Sequence, residues 1–455
     1  MLRVILTALT VTRAGDGLPV KPPTDVGMSS TRLEAIERVV ARGIKAGGYP
    51  GAAVVVGRNG AAVMERGFGR LSWVPTSPAV DAQQTIYDVA SLTKVVGTTA
   101  AIMILFDEKK IDLDGRVVSY IPTFNGGEKD QVTIRQLLTH TSGLPAGRDI
   151  WRITTSPLQA RAAVVASSLE ARPGTRYIYS DLGADLLGLV VEVVSGEPLD
   201  KFLERRVFAP LGMNNTFYRP ADSLRYRIAP TEVTPPRGYP LRGEVHDENA
   251  YALGGVAGHA GLFSTAADLS VFAQMMLNGG EYNGVQIISR PTVELFTSRS
   301  VGHRALGWDT AEGDYGSGRF LGPTAYGHTG FTGTSMWIDP ERKMFVILLT
   351  NRVHAARALR PAKVISDVRA DLSDAAVFAV LDGPQIASGK RTFRADREVG
   401  WNPAPRRVSK RRLSSSRRQS IARATKSRVS AAKKKASSSK ATRARKPAKK
   451  TTKKT

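Results

Sequence analysis

Two β-hairpin patterns at opposite ends of a long chain constrain the fold more than any other feature. The first, "GAAVVVGRNGAAVMERGFG" at 51–69, has two apolar runs joined at Asn59-Gly60, a dipeptide that favours a two-residue hairpin turn. The second, "GTSMWIDPERKMFVILLTN" at 333–351, has a strand on each side of a "PERK" turn. Helical patterns and loops fill the chain between them. This arrangement predicts an α/β (α+β) domain whose two ends form one antiparallel sheet, flanked by helices, with a helical region inserted.

Helical periodicity is clear in five stretches. Residues 31–46 place apolar side chains on one face, with Thr31 and Glu34 as a capping box and Gly47-Gly48 as the stop. Further helices are predicted over 91–108, 181–195, 264–277 and roughly 357–380, the last of which would cover the sheet.

Charge is unevenly distributed along the 455 residues. The formal net charge is +25, but 21 of the 65 Lys and Arg lie in 401–455, which contains no Asp or Glu. The rest of the chain holds 44 basic against 40 acidic residues and is nearly neutral. Residues 406–455 also lack aromatic residues and glycine, so they cannot bury enough apolar surface to offset the entropy of ordering. We therefore predict a disordered Lys/Arg-rich tail over 405–455, preceded by a linker over 381–404.

The N-terminal segment and the absence of cysteine bear on export. Residues 1–29 contain an early arginine and a short apolar run without a convincing cleavage site, as in a weak or truncated secretion signal or a disordered segment. The lack of cysteine excludes disulfides, thiol nucleophiles and Cys-ligated metals but leaves the compartment open. No uninterrupted apolar run approaches the ~20 residues of a membrane helix, so no membrane span is predicted.

A serine and a lysine stand at the head of the apolar helix predicted at 91–108, in "YDVASLTKVVGTTA". Positions i and i+3 share one face of a helix, so the side chains of Ser91 and Lys94 can touch. A serine hydroxyl is a weak nucleophile and needs a neighbouring base, which an amine can provide. The same spacing occurs at Ser430 and Ser437 in the repetitive tail, where it carries no meaning, so the pair needs support from other motifs.

Two further motifs supply that support. "YSD" at 179–181 stands directly before an apolar helix, and "GHTGFTGT" at 327–334 opens the second hairpin. Ser-x-x-Lys, Tyr-x-Asp and His-Thr-Gly, in this order, resemble the motifs of the serine β-lactamase and penicillin-binding protein superfamily. The closest resemblance is to the class C β-lactamase-related serine hydrolases, which include esterases and D-amino-acid peptidases, and it covers about residues 30–375.

The resemblance implies a β-lactamase/transpeptidase-like domain over 30–380 and an acyl-enzyme mechanism without a cofactor. It implies that Ser91 attacks a carbonyl, that Lys94 takes or relays the serine proton, and that Tyr179 shares the acid and base duty. Water would then hydrolyse the acyl-enzyme.

The resemblance also implies a substrate-binding strand. The backbone N–H groups of Ser91 and Phe331 would form the oxyanion hole, with Thr329 and Gly330 alongside.

Two residues depart from the usual motifs. Where β-lactamases usually carry Asn, this chain has Asp181, whose carboxylate would favour the ammonium form of Lys94 and shift the base role toward Tyr179. Asp181 could equally serve only as the cap of the following helix. Where the third motif usually begins with Lys, this chain has His328, which is largely neutral at pH 7. We therefore expect weak recognition of penicillin-like carboxylates and a preference for esters or amides without one.

The other histidines are expected to have structural roles. His140 should organise its loop by hydrogen bonding. His246, Asp247 and His259 could be imagined as a metal set, but they lack helical metal-ligand spacing, so no metal is expected. The Gly-rich "ALGGVAGHAG" at 252–261 has no phosphate-loop pattern and is interpreted as a bend that brings backbone close to the cleft.

The sequence thus predicts a serine hydrolase that cleaves an ester or amide through an acyl-enzyme on Ser91, with esterase-like activity favoured. The alternatives are a D,D-peptidase, penicillin-binding protein or β-lactamase of the cell envelope, and a non-catalytic binding protein. Family resemblance favours a periplasmic or extracellular location, whereas the weak signal leaves the cytoplasm open. The tail at 405–455 could bind nucleic acid or an anionic envelope polymer by counterion release, or it could be a solvated extension without function.

Overall fold

The structure, a computed structural model, describes residues 17–311, 316–354, 361–383 and 392–402. The chain divides into two units, 1–403 and 404–455, and all described residues lie in the first. The predicted tail and the start of the predicted N-terminal segment fall outside the described residues, so both stay predictions.

One antiparallel sheet joins the two ends of the domain. The strands, in chain order, are β1 (Gly51–Arg58), β2 (Ala61–Gly69), β3 (Tyr87–Asp88), β4 (Phe217–Tyr218), β5 (Leu262–Ser264), β6 (Glu281–Tyr282), β7 (Val285–Gln286), β8 (Asp309–Thr310), β9 (Tyr326–Gly330), β10 (Thr334–Asp339) and β11 (Met344–Thr350). Six of them form the main sheet in the order β2-β1-β11-β10-β9-β8. Within this sheet β1 pairs with β11, with Ala52 opposite Thr350 and Arg58 opposite Met344. Both predicted hairpins are present, and the predicted antiparallel sheet is confirmed.

The inner strand β1 is buried along its whole length because both of its faces are covered. Ala53 and Val55 point into a large core beneath the inserted helical region. Val54 and Val56 point into a second core on the other face of the sheet. This alternation follows the two-residue period of a strand, so the sheet separates two apolar layers.

Helices cover both faces of the sheet. They are α1 (Ser30–Lys45), α2 (Ala100–Asp107), α3 (Val117–Tyr120), α4 (Ile134–Leu138), α5 (Ile150–Ile153), α6 (Pro157–Val165), α7 (Asp181–Ser195), α8 (Leu199–Leu203), α9 (Glu248–Ala252), α10 (Ala266–Leu277), α11 (Arg290–Thr297) and α12 (Lys363–Ala379). α1 and α12 contribute the second core together with β1 and β11, so the predicted cover of the sheet by the last helix is confirmed. The other helices belong to the inserted region.

Two helix predictions need correction. The first helix is capped by Ser29, whose side chain accepts a hydrogen bond from Arg32 N at 3.3 Å, so the capping box at Thr31 and Glu34 is wrong. The run predicted at 91–108 is not a uniform α-helix. It begins with a 3₁₀ turn over Ala90–Leu92, continues as a π-helix over Lys94–Thr99, and only then becomes α2.

The segments that flank the domain also pack against it. Met28 is fully buried, and its backbone bridges to Val380. Trp401, in the described part of the predicted linker, is buried and donates from Nε1 to Asp367 Oδ2 at 2.8 Å. Residues 392–402 therefore pack on α12, while the domain limits at 30 and 380 stay predictions.

One helical run among the described residues, Ala90–Asp107, is long and apolar enough to cross a membrane by length and composition. Within this domain 83% of it is buried. A buried core helix passes the same test, so the run is weak evidence for a membrane span.

Candidate active site

The segment that carries Ser91 begins with a sharp backbone turn. Ala90 has φ 48°, in the left-handed region, which costs an L-residue about 1–2 kcal/mol unless neighbouring contacts compensate. The buried carboxylate of Asp88 provides such contacts, because it accepts hydrogen bonds from Ala90 N at 2.9 Å and from His246 N at 2.6 Å. The turn places Ser91 on the cleft wall at the head of the helical run.

The side chains of Ser91 and Lys94 meet as the motif predicted. Lys94 Nζ lies 3.0 Å from Ser91 Oγ, and it also donates to the carbonyl oxygen of His259 at 3.2 Å. The same amine forms an ion pair with Asp181 at 2.7 Å and lies 4.9 Å from the ring centroid of Tyr179. Four groups thus surround one amine, and three of them come from distant parts of the chain.

Lys94 is buried, and its surroundings keep it charged. Burial alone would lower the pKa of Lys94, but the carboxylate of Asp181 and the phenol of Tyr179 outweigh that effect and hold the pKa above its ordinary value. The ammonium form orients Ser91 by hydrogen bonding but has no free electron pair to accept the serine proton.

Tyr179 and Asp181 lie on either side of a helix N-terminus. Ser180 is the N-cap of α7, since its hydroxyl accepts from Gly183 N at 3.2 Å. Asp181 is therefore not the cap, and its carboxylate faces Lys94 instead. Of the two interpretations of Asp181, the structure supports the one in which it acts on Lys94.

His140 holds Tyr179 in place from behind. Its ring centroid lies 4.6 Å from that of Tyr179, and its Nδ1 accepts from Ser180 N at 3.0 Å. Burial lowers the pKa of His140 well below its usual value, so the ring is neutral and can accept at Nδ1. The expected role of His140 in organising its loop is confirmed.

The third motif lies on β9 and is fastened to the serine segment. Thr332 Oγ1 donates to Asp88 O at 2.8 Å, and Thr334 Oγ1 donates to Val89 O at 2.9 Å. A Cβ added to Gly330 would lie 2.5 Å from Val89 O, so only glycine allows this close approach.

His328 occupies the first position of that motif and is buried. Burial lowers its pKa to about 4, although Asp309, 4.0 Å from its Nε2, acts in the opposite direction. His328 is therefore neutral at pH 7, as the sequence predicted, and brings no fixed positive charge to the cleft.

These groups share a cleft of about 600 Å³. Of the site residues predicted from the sequence, only Lys94 does not line the cleft, because it lies buried behind Ser91. The predicted residues that line it are Ser91, Tyr179, Asp181, His328, Thr329, Gly330 and Phe331. Arg304, which pairs with Asp309 and lies 5.9 Å from the Tyr179 ring, was not singled out from the sequence. No local pattern marks it, since its importance depends on tertiary contacts.

The rings of His246 and His259 have protein partners. His246 Nε2 lies 2.8 Å from Glu232, and His259 lies between Asp185 and Asp247. Within the described ranges of the chain, no group of three or more His, Cys, Asp or Glu could hold a metal ion. The Gly-rich bend before His259 approaches the site as interpreted, because the carbonyl of His259 contacts Lys94.

Solved structures with the same architecture include hydrolases. EstCE1, described as a hydrolase with promiscuous acyltransferase activity, aligns with a TM-score of 0.61 and 21% identity over 76% of this chain and 99% of its own. A class C β-lactamase aligns with a TM-score of 0.62 and 18% identity over 78% of this chain and 98% of its own. At these identities the structures show the fold, which is that of β-lactamases and penicillin-binding proteins.

Comparison of sequences shows the family as well as the fold. The family model described as Beta-lactamase matches residues 36–369. A protein of Escherichia coli (strain K12), provisionally named D-alanyl-D-alanine carboxypeptidase, is 32% identical over 397 residues, which cover 78% of this chain and 91% of that protein. The chain therefore belongs to the β-lactamase family and is a serine hydrolase of that family.

Proposed function

We propose that the protein hydrolyses an ester or amide through an acyl-enzyme on Ser91, with esterase-like activity. The observation that carries this proposal is the 3.0 Å contact between Ser91 Oγ and Lys94 Nζ, in a cleft that Tyr179 also lines. A serine hydroxyl in contact with a buried ammonium, in a cleft shared with a tyrosine oxygen that can act as a phenolate base, has the partners that nucleophilic catalysis requires.

In the proposed reaction Ser91 Oγ forms a bond to the substrate carbonyl carbon, and the bond to the leaving alcohol or amine breaks. Since the surroundings of Lys94 favour its ammonium form, we assign the transient acceptance of the serine proton to the Tyr179 oxygen, which acts as a phenolate beside the Lys94 ammonium. Tyr179 then returns a proton to the leaving group, and water repeats the sequence to release the acid. Lys94 orients Ser91 and stabilises negative charge on the tyrosine oxygen.

We assign the oxyanion hole to the backbone N–H groups of Ser91 and Phe331. Both residues line the cleft, and the hydrogen bonds from the β9–β10 turn to the serine segment hold the two near each other. Loss of one such donor typically lowers the rate by ~10²–10³.

The substrate preference follows from His328. A neutral imidazole replaces the lysine that usually begins the third motif, so a penicillin-like carboxylate gains no ion pair there. We propose that good substrates are esters or amides that lack a carboxylate beside the scissile bond.

A second candidate is D,D-peptidase activity on a small peptide. The name of the Escherichia coli relative favours it. Arg352, 4.7 Å from the Phe331 ring, also brings a cation to the cleft wall, where a terminal carboxylate can contact it. The third possibility, a binding protein that uses the tail at 405–455 to hold nucleic acid or an envelope polymer, gains no support from the relatives and stays a prediction.

A fluorophosphonate probe tests the nucleophile directly. We expect the full chain to be labelled, Ser91→Ala to lose the label, and Ser366→Ala, which changes another serine of the same cleft, to keep it. Labelling of Ser91→Ala at the wild-type rate would overturn the assignment.

Matched substrates then separate the two activities. The proposal expects turnover of p-nitrophenyl acetate to exceed that of an acyl-D-Ala-D-Ala peptide and of penicillin G. A higher kcat/KM on the peptide would establish the second candidate instead. In His328→Lys, relative kcat/KM on penicillin G should rise by about 10-fold, the effect of one charge-assisted hydrogen bond, whereas His328→Gln should leave the ratio unchanged.

A further inference from the structure

The buried residue His259 contacts the Ser91–Lys94 pair through its backbone and two carboxylates through its ring. Its carbonyl oxygen accepts from Lys94 Nζ at 3.2 Å. Its Nδ1 lies 2.7 Å from Asp185 Oδ1, and its Nε2 lies 2.9 Å from Asp247 Oδ1. One residue thus connects the proposed catalytic amine to a charge cluster that the mechanism does not otherwise use.

The ring of His259 is held as an imidazolium. Burial alone would lower its pKa, but Asp185 and Asp247 outweigh burial and raise the pKa well above its ordinary value. Burial alone would raise the pKa of Asp247, but the contact with His259 outweighs burial and lowers it. Both ring nitrogens therefore donate, and the ring has one orientation that satisfies both carboxylates.

Asp185 fixes the loop as well as the ring. Its Oδ1 also accepts from Gly258 N at 3.0 Å and from His259 N at 3.3 Å. The loop lies so close to α7 that a Cβ added to Gly258 would be 2.0 Å from Ala184 O. The carbonyl that receives Lys94 is therefore held against the helix whose first residue is Asp181.

Asp247 extends the connection to another part of the cleft wall. It caps α9 by accepting from Ala250 N at 2.8 Å. The preceding residue, His246, donates from its backbone N–H to Asp88, which supports the turn before Ser91. His259 therefore links α7, the loop beside Lys94, and the segment that supports the nucleophile.

We propose that His259 is a positioning residue for the Ser91–Lys94 pair, whose ring bonds to Asp185 and Asp247 hold its carbonyl where it directs the Lys94 amine toward Ser91 Oγ. The inference rests on the proposed function, because the orientation of Lys94 matters only if Ser91 is the nucleophile. A displacement of about 1 Å in such a group can lower a rate by 10²-fold.

A set of substitutions at position 259 tests this role. His259→Ala removes both ring bonds, whereas the amide nitrogen of His259→Asn can occupy the place of Nδ1 and keep the bond to Asp185. We expect His259→Ala to lower kcat on p-nitrophenyl acetate by about 100-fold with KM changed less than about threefold. His259→Asn should recover about 10-fold of that loss, and fluorophosphonate labelling rates should follow the same order.

Asp268→Asn is the matched control. Asp268 is a buried carboxylate that bonds to Asn215 N and Thr216 Oγ1 away from the cleft, so its loss should reduce stability without changing kcat. If His259→Ala does not fold, Asp247→Ala tests the positioning role instead. This variant removes one hydrogen bond of the His259 ring at a partly exposed position, so it should fold and lower kcat about 10-fold at constant KM.

The outcomes separate this inference from the proposed function. If the wild-type chain is labelled at Ser91 but the foldable variants of His259 and Asp247 retain wild-type kcat, the positioning role is wrong. A change in KM alone would also overturn it. If the wild-type chain neither labels nor turns over any ester, the proposed function itself fails.

Discussion

Lys94 is surrounded by groups whose effects on its charge oppose one another. Burial disfavours the ammonium form, whereas the carboxylate of Asp181 favours it, and the net effect is a raised pKa of Lys94. Because a lysine that stays charged cannot accept the Ser91 proton, we assign the role of general base to Tyr179. The ion pair with Asp181 is thus the largest of the contacts that keep Lys94 charged, and changing it should be visible in the pH dependence of the reaction.

Asp181→Asn should make the enzyme sensitive to alkaline pH. Without the carboxylate, only Tyr179 opposes the effect of burial, so the pKa of Lys94 falls. Because the ammonium is the active form, kcat/KM should decline at a lower pH than in wild type. Steady-state kinetics on p-nitrophenyl acetate from pH 6 to 10 measures this.

Asp114→Asn is the control for that experiment. Asp114 is an exposed carboxylate paired with Arg135 at 2.7 Å and is not part of the cleft, so its loss should leave the pH profile in place. An alkaline limb of Asp181→Asn that coincides with wild type would contradict the assigned charge state.

His328 should make the fold sensitive to acid. Its pKa is about 4 in the folded chain against 6.5 in its ordinary state, so between these values the unfolded chain binds more protons. The contribution of the neutral His328 ring to the free energy of unfolding is therefore complete above pH 6.5 and is lost as the pH falls toward 4. The total loss is about 3 kcal/mol, because each pH unit between the two pKa values is worth about 1.36 kcal/mol.

Urea unfolding at pH 7.5 and pH 5 measures this effect. Wild type should lose about 2 kcal/mol more than His328→Gln over that interval, since the glutamine has no proton to gain. Parallel losses in the two proteins would show that His328 does not titrate as assigned.

At the scale of elements, the site depends on the contact between β9 and the serine segment. Thr332 and Thr334 fasten the two together, and Gly330 leaves no space between them. The oxyanion hole assigned to Ser91 and Phe331 needs this close approach.

Gly330→Ala should therefore lower both activity and stability. Its Cβ would lie 2.5 Å from Val89 O and 2.1 Å from Thr334 Oγ1, so β9 has to move away from Ser91. We expect a fall of about 10²-fold in labelling rate by the fluorophosphonate probe, as for loss of an oxyanion donor, and about 1–3 kcal/mol lower stability.

Gly60→Ala provides the comparison. Gly60 has φ 80° with open space around its Cβ position, so alanine should cost about 1–2 kcal/mol through backbone strain alone and leave labelling unchanged. Equal labelling rates in Gly330→Ala and Gly60→Ala would refute the role of the close approach.

Local signals predicted the elements that local interactions determine. The hairpin at Asn59-Gly60 is correct because both residues adopt the left-handed conformations that its turn requires, with φ of 49° and 80°. The 3₁₀ turn over Ala90–Leu92 and the π-helix over Lys94–Thr99 were not predictable, because the apolar pattern of the segment is the same for these helix types as for an α-helix. The motif residues were found through resemblance, whereas the contact of His259 with Asp185 joins positions 74 residues apart that no local pattern connects.

At the scale of the whole molecule, residues beyond the predicted domain complete its second core. Phe393, Ala395 and Trp401 are buried there, although their composition resembles a linker. A charged sequence around a few aromatic residues gives no periodicity, so their burial could not be read from the sequence.

Trp401→Ala should destabilise the domain without impairing the site. Loss of a buried tryptophan typically costs about 3–5 kcal/mol, and here the hydrogen bond to Asp367 is lost as well. kcat at 25 °C should be unchanged, because Trp401 does not line the cleft. Chemical denaturation measures the first quantity and aryl-ester turnover the second.

Trp73→Ala is the matched control, since Trp73 is 40% exposed and should cost about 1 kcal/mol or less. Similar unfolding midpoints for the two variants would show that residues 392–402 do not contribute to the stability of the domain.

The pairing of β1 with β11 has a consequence for biosynthesis. The middle of the sheet is assembled from residues near 55 and near 347, so the nascent chain leaves the ribosome with its first hairpin lacking a neighbour until almost the entire domain has been translated. Contacts between such distant positions slow folding, and an unpaired strand edge invites aggregation while synthesis continues. Chaperone dependence during production, rather than fragility of the finished protein, is the expected result.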